Sequence, residues 1–136
     1  MSTIKGHCLC GDVQYEIEGK ISPIWLCHCS KCRRSTGSAF HTSAICRPEN
    51  FKWLTGVDSI CHYEDTPGYI TGFCSRCGSP VPQQLAGKEM MFLHVGGLEG
   101  VPDQTIDHHI FAGSKANWFE ITDGAPEFDE HKIKLA

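Results

Sequence analysis

Hydrophobic and polar positions alternate with period two along much of this chain. Val13, Tyr15 and Ile17 fall on one side of an extended segment, with Gln14, Glu16 and Glu18 on the other. That is the pattern of a half-buried strand, because successive strand side chains point to opposite faces. Noisier versions cover residues 39–46, 51–54, 60–63, 69–73, 91–95, 109–112 and 118–121. Turn formers punctuate them: Thr55-Gly56, Pro67-Gly68, Gly96-Gly97 and Asp123-Gly124-Ala125-Pro126 recur at strand-length spacing, as in small all-β domains. No apolar stripe at helical spacing is long enough for a core helix. One helical turn is predicted over residues 31–36, with Ser30 as its cap and Gly37 as its stop.

Composition narrows the function classes. With 136 residues, 40% hydrophobic and 21% charged, the chain suits one folded domain spanning 1–136. Twelve basic against 16 acidic side chains leave a formal net charge of −4, and no basic run exceeds Arg33-Arg34. Nucleic acid and anionic membranes are therefore poor partners. No window approaches the ~20 apolar residues of a membrane span, and Met1-Ser-Thr-Ile-Lys-Gly6 offers no apolar leader. The expected compartment is the cytoplasm. Nine cysteines, an odd number, stand beside eight histidines, and reduced thiols clustered in such a chain read as metal ligands or catalytic groups rather than disulfides.

Seven of those cysteines form three tight groups: Cys8-Leu9-Cys10, Cys27-His28-Cys29-Ser30-Lys31-Cys32, and Cys74-Ser75-Arg76-Cys77. Short hooks of this kind place two sulfurs around one tetrahedral zinc. Gly6, Gly11 and Gly78 flank the hooks, where the backbone must turn sharply. Two two-sulfur hooks make a closed four-thiolate site of Cys8, Cys10, Cys74 and Cys77. Cys27, Cys29 and Cys32 remain as a tripod with a fourth position open to water or substrate, the pattern of a catalytic site. Cys46, Cys61, His41, His62 or His94 would close it and make both zincs structural. His28 lies between two ligands, so its side chain should point away.

Charge says what an open tripod is good for. Three thiolates outweigh Zn²⁺, so the ion is a weak activator of water. A soft, thiolate-rich zinc favours a soft fourth ligand, a substrate thiol bound as thiolate. An anionic thiol needs local positive charge, and Arg33 and Arg34 follow the tripod directly.

At these residues the chain resembles the glutathione-dependent formaldehyde-activating family, the S-(hydroxymethyl)glutathione synthase-like proteins. The likeness is carried by Gly6-His-Cys-Leu-Cys-Gly-Asp-Val-Gln-Tyr-Glu16, Cys27-His-Cys-Ser-Lys-Cys-Arg-Arg-Ser-Thr-Gly-Ser38 and Phe73-Cys-Ser-Arg-Cys-Gly-Ser-Pro80. Towards the end, His109-Ile-Phe, Ser114-Lys-Ala, Trp118, Ile121-Thr-Asp123 and Pro126-Glu-Phe128 are similar to the family's closing pattern. The resemblance implies an all-β, Mss4-like fold of stacked antiparallel sheets with two zincs per chain. It implies a structural zinc at Cys8, Cys10, Cys74 and Cys77 and a catalytic zinc at Cys27, Cys29 and Cys32. The implied activity is addition of glutathione's thiol to formaldehyde, a carbon–sulfur lyase in the reverse direction. The chain departs from the family in Cys46 and Cys61, and loosely in Leu98-Glu-Gly-Val-Pro102.

Other residues have plainer readings. Cys46 and Cys61 suit small buried hydrophobes. Adjacent strand residues face opposite ways, so only one of His108 and His109 can reach a given pocket. His109 is the favoured one, with a hydrogen-bonded structural histidine the weightier reading. Trp25, Trp53 and Trp118 are expected as core or cleft walls, and Met90-Met91 as core. A non-catalytic zinc module on the same scaffold is the alternative function. A microtubule- or nucleic-acid-binding role fits the negative charge poorly.

Overall fold

The computed structural model describes residues 2–65, 68–85, 89–101 and 104–131. Pro67 of the Pro67-Gly68 turn and Pro102 of the Leu98–Pro102 segment lie outside them. In chain order the elements are β1 (Thr3–His7), β2 (Gln14–Glu18), β3 (Ile24–Cys27), α1 (Ser30–Thr36), β4 (His41–Cys46), β5 (Phe51–Thr55), β6 (Ile60–Glu64), β7 (Ile70–Cys74), β8 (Pro80–Val81), β9 (Gln83–Gln84), β10 (Met91–His94) and β11 (Ile106–Ile110). The chain is mostly β-sheet, and α1 is the only α-helix among the described residues. It divides into two compact units, Met1–Ser22 with Ala44–Pro102, and Pro23–Ser43 with Asp103–Ala136.

The first unit holds two antiparallel three-stranded sheets, β1-β2-β5 and β6-β7-β8, and the antiparallel pair β9–β10. The period-two reading of β2 is realised: Val13, Tyr15 and Ile17 are all at most 1% exposed. They join Leu93, Val81, Ala44 and Cys74 in the core, where each buried aliphatic side chain contributes about 1.5–3 kcal/mol. The Tyr15 ring stacks on Phe51 and meets Trp53 edge-on, with centroids 5.6 and 5.9 Å apart. Gly6 pairs with Tyr15 across β1 and β2. A Cβ at Gly6 would lie 2.5 Å from that ring. Gly6 has no positive φ, so it makes room for Tyr15 and turns nothing.

In the second unit β3 pairs antiparallel with β4 and parallel with β11. The parallel pair is an exception to the antiparallel expectation, and it needs a long connection, which residues 28–105 provide. Helix α1 starts one residue earlier than its sequence signal. Its N-cap is Cys29, whose Sγ accepts the Cys32 N–H at 3.3 Å, and Ser30 is already helical. Gly37 stops it in the left-handed conformation, φ 64.

Two expectations fail. Residues 118–121 form no strand: the Phe119 amide turns back onto the Ala116 carbonyl. The Phe119 ring packs on Phe40, 5.4 Å between centroids, which leaves Trp118 71% exposed rather than buried. Strands β1, β3, β8 and β9 carried no clear alternation, and pairing with neighbours makes them strands.

Candidate metal centres

None of the nine cysteines forms a disulfide. Seven gather into two clusters whose sulfurs lie within 4.8 Å of one another: Cys8, Cys10, Cys74 and Cys77, and separately Cys27, Cys29 and Cys32.

The first cluster closes two similar knuckles. After Cys8-Leu-Cys10, Gly11 takes φ 81 and its N–H returns to the Cys8 carbonyl at 3.0 Å. After Cys74-Ser-Arg-Cys77, Gly78 takes φ 77 and its N–H returns to the Cys74 carbonyl at 2.7 Å. A Cβ at either glycine would meet nothing within 4 Å, so glycine is there for its dihedral rather than for space. The Val13 amide donates to Cys8 Sγ at 3.3 Å. Ser79 Oγ accepts the Leu9 amide at 2.9 Å and lies 3.3 Å from Cys77 Sγ. The Ser79 hydroxyl, with the Cys10 and Ser79 amides, holds the Cys77 thiol down at about 5.

Zinc fits this donor set. Tetrahedral Zn–S bonds of ~2.3 Å put sulfurs about 3.8 Å apart. Cys8 Sγ–Cys10 Sγ is 3.6 Å and Cys10 Sγ–Cys74 Sγ is 3.8 Å.

The second cluster sits where β3 ends and α1 begins. Cys27 and Cys32 are buried and Cys29 is partly exposed. Hydrogen bonds from the Cys27 and Cys32 thiols, then from backbone amides, pull Cys29 far below the ordinary thiol range. Cys27, which donates, is pushed up. A cation held there would bind the sulfurs as thiolates, replacing their protons. Among the described residues no fourth His, Cys, Asp or Glu joins the cluster. His41, 4% exposed, pairs its Nδ1 with Ser43 Oγ at 2.6 Å, and burial lowers its pKa to about 4. His28 turns away from the sulfurs, placing Nε2 2.8 Å from His109 Nδ1. His109 is 1% exposed and bonds to Asp123. His108 stacks on Trp25 and pairs with Asp107 at 2.7 Å. Arg33 is half-buried, with its Nε buried and lacking a hydrogen-bond partner, whereas Arg34 is exposed.

Cys46 belongs to the hydrophobic core of the first unit, with burial pushing its thiol up to about 11. Cys61 is exposed on β6, against the expectation of burial. The residue that sequence reading passed over is Ser79. Its nearness to Cys77 was legible, but its bond to Leu9 was not.

Against known proteins, the sequence model of the glutathione-dependent formaldehyde-activating enzyme family matches residues 3–114. The chain belongs to this family. A crystal structure of a Rhodobacter sphaeroides protein, solved as a structural-genomics target, is similar at 28% identity, with 73% of this chain and 91% of that chain covered and a TM-score of 0.59. No curated protein matches. Membership in the formaldehyde-activating family agrees with the mostly β architecture and links the chain to glutathione- and formaldehyde-related chemistry. No helix among the described residues is long and apolar enough to cross a membrane.

Proposed function

We propose that this chain is a zinc-dependent carbon–sulfur lyase that adds the glutathione thiol to formaldehyde, and reverses that addition. Cys27, Cys29 and Cys32 hold the catalytic zinc, and Cys8, Cys10, Cys74 and Cys77 hold a structural one. The observation that supports the reading is the three-sulfur cluster, which offers a metal three soft ligands; on this reading the fourth place is the substrate's. When bound there, zinc supplies a thiophilic Lewis acid that favours the deprotonated form of a substrate thiol.

The chain's own residues supply position and charge. The amide at the start of α1 fixes the Cys29 sulfur. Arg33, with its unpartnered buried Nε, receives a carboxylate of the thiol peptide in a charge-assisted hydrogen bond. The substrate sulfur attacks the aldehyde carbon, the C=O pair moves to oxygen, and a proton from solvent completes the hydroxymethyl group. Orientation is the main contribution, since holding two reactants together lowers the barrier without new chemistry. The reading is of one domain in the cytoplasm, where glutathione is abundant and reduced.

The test is two-dimensional exchange NMR of formaldehyde and glutathione with the zinc-loaded protein beside its Cys29→Ser variant. Faster exchange between free formaldehyde and the adduct, lost in the variant, is the expected result. No enhancement from a chain carrying two zincs would leave the non-catalytic zinc module.

A further inference from the structure

The chain Asp123–His109–His28 ends on the residue between two of the tripod cysteines, and nothing in the proposed chemistry uses it. Asp123 Oδ2 and Oδ1 lie 2.8 and 3.0 Å from His109 Nε2, and His109 Nδ1 lies 2.8 Å from His28 Nε2. Both histidines are almost fully buried, 0% and 1% exposed. A carboxylate can only accept, so His109 donates from Nε2. With one proton on each ring, His109 Nδ1 accepts and His28 donates from Nε2. The order of donors therefore runs from the hook outward to the carboxylate.

The His28 backbone is tied to the same strand, because its N–H donates to the Ile110 carbonyl at 3.0 Å. His28 is thus held on β11 by both main chain and ring. The Cα positions of Cys27 and Cys29, its two neighbours, are set with it.

Asp123 comes from a segment that follows residues 3–114, the stretch matched by the family's sequence model. That segment lies along β11 as a strap: His109 N–H donates to the Pro126 carbonyl at 2.8 Å and Phe128 N–H to the His109 carbonyl at 2.9 Å. The Phe119 ring covers His28, 6.1 Å between centroids.

We infer that this strap is a positioning element of the tripod: Asp123 orients His109, His109 fixes His28, and His28 holds Cys27 and Cys29 in register for a metal. The inference rests on the tripod being a zinc site. Groups behind metal ligands commonly set affinity by about 10- to 100-fold. Here the outer groups act through the backbone between two ligands rather than on a ligand atom.

The test uses the full zinc-loaded chain, Asp123→Ala and Asp123→Asn. Each is challenged with a chromogenic chelator and N-ethylmaleimide, and alkylated cysteines are located by peptide mass spectrometry. Asp123→Ala should release one zinc per chain at least about tenfold faster than the parent. Cys27, Cys29 and Cys32 should become reactive while Cys8, Cys10, Cys74 and Cys77 stay protected. Asp123→Asn, whose Oδ1 still accepts from His109, should stay near the parent rate. Release from Asp123→Ala at the parent rate, reaction of all seven thiols together, or an Asn variant as fast as Ala would each overturn the inference. If the tripod holds no zinc at all, its three thiols react in the parent itself, which removes the underlying site reading instead.

Discussion

Ser79 Oγ lies 3.3 Å from Cys77 Sγ while accepting the amide N–H of Leu9 at 2.9 Å. One hydroxyl therefore ties the two hooks of the four-sulfur cluster together, 70 positions apart in sequence. Two of its four cysteines reach the packed interior, Cys8 and Cys74 at 1% and 0% exposed, while Cys10 is exposed and Cys77 partly so. Metal held there is coupled to folding.

Cys77→Ser should therefore unfold early. A loss of roughly 3 kcal/mol, which lowers Tm by about 10 °C in a chain of this size, is the expected outcome of thermal denaturation by circular dichroism. An unchanged Tm with one zinc missing would count against a structural role.

Cys29→Ser should behave differently. Serine is a good N-cap, so α1 keeps its first turn while the tripod loses a thiolate. Metal analysis should read one zinc per chain instead of two, Tm should move by only a few degrees, and adduct exchange should vanish. Two zincs in the variant would remove Cys29 from the ligand set.

Arg33 and Arg34 separate by burial. Arg33→Ala should raise KM for the thiol by about tenfold, the size of one charge-assisted hydrogen bond, with zinc content unchanged. Arg34→Ala should stay near the parent. Steady-state kinetics on both variants decide it, and equal effects would argue against a specific contact.

Burial pushes the Cys46 thiol up to about 11, above its ordinary value. A raised folded pKa contributes stability below the unfolded value, and that stability is lost as pH rises towards the folded one. The parent should thus weaken relative to Cys46→Ala between about pH 9 and pH 11. Urea midpoints at several pH values measure it. Parallel curves would show that Cys46 does not titrate with folding.

Gly6→Ala is a packing test. The added methyl would meet the Tyr15 ring at 2.5 Å, and Tyr15 has no free space to yield, being 1% exposed among core residues. A destabilisation of about 1–3 kcal/mol is expected from such overpacking. Denaturant titration of the variant should show it, and a shift under about 0.5 kcal/mol, the size of a neutral surface change, would mean that the ring moves cheaply.

Much of this was legible in the chain. Val13, Tyr15 and Ile17 declare their strand because one face is buried and the other is not, and α1 stops at Gly37 as its sequence says. Ser30 was the better N-cap by residue type, yet Cys29 takes the place, its Sγ accepting the Cys32 N–H. Residues 118–121 alternate like a strand but find no partner, and Phe119 turns inward onto Phe40 instead.

The sequence by itself determined the hooks, because two thiols two or three residues apart can share an ion only if the backbone turns between them. It also determined the glycines that permit those turns. Bringing the first and third hooks together took contacts across long separations: the Leu9–Ser79 bond and the approach of Cys10 Sγ to Cys74 Sγ. The same holds for the line from Asp123 at the surface through His109 to His28, both of them buried. A carboxylate and two imidazoles spread over the chain carry no local signal, and only the parallel pairing of β3 with β11 brings the rings within hydrogen-bonding distance.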